Sequence, residues 1–207
     1  MSLLCLAVPV RAQSTDLPNP SAQLLAAARR ADSVQVERAL AQGAAPNARN
    51  RLGKTALLLA SEQGAAALAQ RLIEAGADVN LASLEGVTPL MAASYGGHAA
   101  LAKRLLDAGA QAETLDRMKK PAIVYAAAQG HAEVLGLLIA AGVDVNAGYE
   151  HGLTPLMWAA GQGQAEAVKL LMARGAQAEL RDDRGLTAAE IARRAGHAEI
   201  PALIGGR

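Results

Sequence analysis

Residues 86–110 read GVTPLMAASYGGHAALAKRLLDAGA. Thr88 offers a hydroxyl to the bare N–H groups at a helix start, and Pro89 suits the first helical position, where no N–H is needed. The apolar run that follows predicts a helix to about Tyr95. Gly96-Gly97 ends it, since glycine takes the left-handed backbone at little cost. A second helix is predicted from about His98 to Asp107, with Leu101, Leu105 and Leu106 on one face and Gly109 closing it. Two helices this short cannot hide their apolar faces alone, so the unit needs neighbours.

Those neighbours lie along the chain. Gly43, Gly76, Gly109, Gly142 and Gly175 stand 33 residues apart, and so do Gly64, Gly97, Gly130, Gly163 and Gly196. Thr55, Thr88, Thr154 and Thr187 keep the same period with one member missing. Asn47, Asn80 and Asn146 mark a further register, in which Glu113 and Glu179 take the remaining slots. Residues 152–176 (GLTPLMWAAGQGQAEAVKLLMARGA) repeat the plan of the opening stretch, and 53–80 and 121–146 are looser copies.

A unit of this length with these landmarks resembles the ankyrin repeat, over about residues 21–204. The resemblance implies an all-α ankyrin-repeat solenoid of stacked helix-turn-helix units with short β-finger loops. Gly86 then sits at a finger tip. Six units are read: a degenerate 21–50, full units 51–83, 84–116, 117–149 and 150–182, and a short 183–204. Residues 13–20 read as a linker. The family's Thr-Pro-Leu-His motif is altered: its His slot holds Leu58, Met91, Val124, Met157 and Glu190. The side-chain bonds of that histidine are expected to be missing, with some loss of stability. Unit 117–149 has Pro121 in place of the threonine. The slot opening each finger holds Asn50, Ser83, Asp116, Tyr149 and Asp182, of which only the tyrosine is unconventional.

The 52% apolar content is largely Ala, Leu, Ile and Val; Phe is absent and the aromatics are Tyr95, Tyr125, Tyr149 and Trp158. Such a core suits thin, closely packed helices better than a large enzyme. With 20 basic and 19 acidic residues the surface offers phosphates little general attraction, which argues against nucleic acid. The single cysteine, Cys5, permits no internal disulfide. Leu3–Val10 is a short apolar run, with Val10 and Ala12 at the −3 and −1 positions of a cleavage after Ala12. Residues 1–12 read as a signal peptide, which implies a periplasmic or secreted protein. The alternative is an apolar tail on a cytoplasmic protein. Eight apolar residues are too few for a membrane span, which needs ~20.

No constellation for catalysis, cofactor or metal stands out. His98, His131 and His197 share one slot and read as supports of the turn between helices. His151 stands beside Glu150 on a finger tip, either an ordinary exposed histidine or an interface contact. The expected function is therefore binding, by a monomer, of a protein partner. In ankyrin-like stacks partners dock on the face made by fingers and inner helices. Carried over by register, that face gives Arg51, Lys54, Leu84, Glu85, Arg117, Met118, Glu150 and His151 on fingers. On the inner helices it gives Glu62, Tyr95, Tyr125, Gln129, Trp158 and Gln162. Tyr125 and Trp158 occupy one slot in adjacent units, so they are expected side by side, either packing between repeats or contacting a partner.

Overall fold

The computed structural model describes residues 19–205, so the stretch read as a signal peptide lies outside it. Among the described residues twelve α-helices follow in pairs. The first members are α1 (Pro20–Ala28), α3 (Ala56–Glu62), α5 (Pro89–Tyr95), α7 (Ala122–Gln129), α9 (Pro155–Gly161) and α11 (Ala188–Ala195). Their partners are α2 (Ser33–Ala41), α4 (Ala66–Glu74), α6 (Ala99–Asp107), α8 (Ala132–Ala140), α10 (Ala165–Ala173) and α12 (Ile200–Gly205). The odd-numbered helices pack against one another in an inner row, and the even-numbered helices from α4 to α12 form an outer row behind it. Helix α1 opens at Pro20, one residue inside the stretch read as a linker.

The inner row is tight because one slot is always alanine. Ala27, Ala60, Ala93, Ala126, Ala159 and Ala192 recur at the repeat period and all are fully buried. A methyl there lets adjacent helices approach closely, while Leu24, Leu57, Leu90, Ile123 and Leu156 fill the next layer. In the outer row Leu72, Leu105, Leu138 and Leu171 share a buried slot that Ile204 fills in the last unit.

The inner helices start as expected. The hydroxyls of Thr55, Thr88, Thr154 and Thr187 each accept the N–H three residues on. The altered motif does not leave the caps bare, which corrects one expectation. The sulfurs of Met91 and Met157 accept the N–H of Thr88 and Thr154. The Glu190 carboxylate accepts both the N–H and the hydroxyl of Thr187. An acceptor at that slot is what the cap needs, and sulfur or carboxylate supplies it. Leu58 offers no such acceptor to Thr55, and unit 117–149 lacks the side-chain cap altogether, since Pro121 and Val124 have no suitable side chain.

The fingers are tight turns. Among the described residues there is no β-strand, only one isolated bridge, Arg49 with Thr55. Side chains of Asn50, Asp116 and Asp182 each accept two N–H groups of their own turn. Tyr149 cannot do this. Its turn becomes a short 3-10 segment, Glu150–Gly152, with His151 at φ 61°. Adjacent fingers are tied by Leu84 N–H to Leu52 O, Arg117 N–H to Glu85 O, and Asp183 N–H to His151 O.

The asparagine register sews units together on the opposite edge. Asn47 accepts from Asp78 N–H and donates to Gly76 O; Asn80 and Asn146 do the same to Gln111 and Gly109, and to Gln177 and Gly175. Glu113 makes no such bonds, and a hollow of about 530 Å³ opens there against Gly142. Glu113→Asn is expected to restore both links and stabilise the stack by about 1–2 kcal/mol. Urea unfolding followed by circular dichroism measures it, and an unchanged midpoint would mean the joint is too wide for the shorter side chain.

Candidate functional site

Inner helices and fingers form one continuous face, and the hollows along it follow the repeat. Among the described residues three of them occupy equivalent places. One of about 430 Å³ lies between α1, α3 and the Asn50 finger. One of about 380 Å³ is lined by Glu62, Val87, Met91, Ala92, Tyr95 and Tyr125. One of about 180 Å³ is lined by Met157, Trp158, Ile191 and Arg184 among others. Equivalent slots recur because stacked units leave the same gap at each step.

The middle hollow is the most apolar part. Tyr95 is 57% exposed at the end of α5. Its ring meets that of Tyr125 edge to face, with centroids 6.1 Å apart and planes at 76°. Such a pair is favourable beyond its buried area. The Tyr125 hydroxyl donates to the Asp116 carboxylate, so the ring is held in one orientation. Burial, then that hydrogen bond and the Asp116 charge, push the Tyr125 phenol above the usual tyrosine range. Trp158 holds the same slot one unit on, in α9. Its face is covered by the Lys120 ammonium, 4.6 Å from the ring centroid, a cation–π contact. Its indole N–H has no hydrogen-bond partner among the described residues, so the ring acts through its faces.

The remaining residues read from the sequence fall into pairs and singles. Lys54 and Glu62 form an ion pair at 2.6 Å, and Arg117 and Glu85 one at 3.4 Å. These are exposed or half-buried pairs, worth little to stability. Leu84 and Met118 stand 55% and 56% exposed on their fingers. His151 lies between Glu150 and Asp183, at 3.9 and 4.0 Å. Arg51 and Gln129 are exposed, and Gln162 borders the hollow at Trp158. Three features were missed: Lys120 over Trp158, Asp116 behind Tyr125, and the hollow at α1. Arg29 in that hollow lies two repeats before Tyr95, so the register contains the signal even though the unit is degenerate.

The histidine slot holds the turns. The rings of His98, His131 and His197 lie where a Cβ on Gly64, Gly97 and Gly163 would be. His131 Nε2 is 3.0 Å from Tyr95 O at the end of α5, and Gln164 in the same slot donates to Ala128 O. Units 117–149 and 150–182 thus close the inner-helix end of the unit before. No group of three or more His, Cys, Asp or Glu is placed to hold a metal among the described residues. No described helix is long and apolar enough to cross a membrane.

The family model for ankyrin repeats, in three copies, matches residues 23–116, 62–149 and 123–204. The chain belongs to the ankyrin-repeat family. Comparison with curated proteins gives no match. Ankyrin repeats form scaffolds for protein–protein interaction. In this ankyrin stack Tyr95, Leu52, Leu84 and Met118 are exposed on the inner-helix and finger face, and Val34 is exposed on α2.

Proposed function

We propose that this ankyrin protein is a non-catalytic scaffold that captures a protein partner on its finger and inner-helix face, centred on the hollow at Tyr95 and Tyr125. The observation that carries this is the exposed Tyr95 ring over a hollow lined by Val87, Met91, Ala92 and Tyr125, with Leu84 and Met118 also exposed on fingers. Aromatic side chains in apolar hollows dominate binding energy in protein interfaces. Tyr95→Ala is expected to weaken partner capture by about 2 kcal/mol while leaving the fold intact. The ring is mostly outside the core, so circular dichroism should barely change. Trp158→Ala tests the far end of the same face. Crosslinking in the source cell identifies the partner, and capture untouched by either change would remove the hollow from the reading.

The apolar run before Arg11 supports placement in the periplasm or outside the cell. Mass spectrometry of the native N-terminus tests this: a chain beginning at Gln13 is the expected form. An intact Met1 would favour a cytoplasmic or host-delivered regulator instead.

A further inference from the structure

The first hollow differs from the second in charge, although repeat geometry makes them equivalent. Leu25 and Leu59 floor it, and Arg29, Arg49 and Arg51 line it with no Asp or Glu among its walls. Arg49 is committed, donating to the carbonyls of Gly53 and Ala82. Arg29 and Arg51 are exposed and take part in none of the ion pairs among the described residues. The next cations along the face are already paired, Lys54 with Glu62 and Arg117 with Glu85. Two free guanidiniums above an apolar floor are a receptor for carboxylate: the planar fork matches it, and no existing pair must be broken first.

Register sets the spacing. Arg29, Glu62 and Tyr95 occupy one slot, just past the end of α1 and at the ends of α3 and α5. Packed helices lie about 8–10 Å apart, so the Arg29 and Tyr95 positions are roughly 16–20 Å from each other. An extended chain covers that in about five or six residues. Resting on the proposed function, we infer that the partner presents an extended segment with Asp or Glu seated at Arg29 and Arg51, about five or six residues from an aromatic or branched aliphatic side chain seated against Tyr95. A nucleic-acid backbone fits less well, because Glu62, Glu85 and Glu150 interrupt the face beyond the first hollow and the chain carries a net charge of only +1.

Selection of random dodecapeptides displayed on phage against the full chain tests this. Enriched peptides are expected to carry an acid about five or six positions from an apolar anchor. A synthetic copy of the best should bind R29Q/R51Q about tenfold more weakly, lose affinity as salt rises, and leave the variant's melting curve unchanged. Enriched peptides lacking an acid, or binding indifferent to R29Q/R51Q, overturn the acidic-segment inference; if Y95A still abolishes that binding, the groove itself stands. Binding indifferent to both variants, or no enrichment, overturns the inference and the groove together. Competition by a short oligonucleotide in preference to the peptide assigns the hollow to polyanions and also overturns it.

Discussion

Gly97→Ala is expected to destabilise the stack by about 3 kcal/mol, against about 1 kcal/mol for Gly109→Ala. Both glycines have left-handed backbone, with φ 69° and 88°, so an alanine is strained at either. They differ in what surrounds them. Nothing lies within 4 Å of a Cβ on Gly109, while a Cβ on Gly97 falls on the His131 imidazole. That ring is held against Tyr95 O, so moving it also opens the end of α5. The difference between the two variants therefore measures packing between units, apart from backbone strain. Adding His131→Ala to Gly97→Ala should cost less than the two changes summed, because the clash disappears with the ring. Urea titrations of the parent chain and these four variants measure this, and equal losses at Gly97 and Gly109 would mean that the imidazole swings aside freely.

The helices and their order are legible because every signal is repeated. One threonine before a proline is weak, but four threonines in register locate α3, α5, α9 and α11 to within a residue. The alanine slot, from Ala27 to Ala192, gives the close approach of the inner row from the sequence itself. Details that depend on side-chain choice within a slot are not legible in this way. The replacements at the histidine slot look like losses until Met91, Met157 and Glu190 are seen accepting the same backbone N–H groups. Sulfur is a weak acceptor whose use depends on rotamer, and spacing says nothing about rotamer.

The candidate site divides similarly. Exposure of Tyr95, Leu84 and Met118 follows from their slots, and the structure has it. The contacts of Tyr125 and Trp158 do not follow, because Asp116 and Lys120 reach the rings from a finger, outside the helical register. The cationic hollow is hidden for another reason. Unit 21–50 has Ala22 where the threonine would stand, so its register is faint.

Leu138→Ala should cost about 2–5 kcal/mol, the range for emptying a fully buried leucine site, and it should also change the shape of unfolding. Leu138 is fully buried in α8. Its unit is already the least well supported: Pro121 gives no cap, Lys119 holds φ 55° where other fingers have glycine, and Glu113 leaves the joint before it unsewn. In a stack held only by nearest neighbours, cooperativity passes through each unit in turn. Weakening the middle unit further should split one transition into two, with units 21–116 and 150–204 melting separately. Ile204 fills the same slot in α12, at the end of the outer row. Ile204→Ala removes a similar apolar volume yet has no unit beyond it to uncouple, so it should fray the last helices and leave the main transition single. Amide hydrogen exchange across a urea series distinguishes the two. A single shared transition in Leu138→Ala, shifted as far as in Ile204→Ala, would show that the stack unfolds as one body and that the Pro121 unit is no weaker than its neighbours.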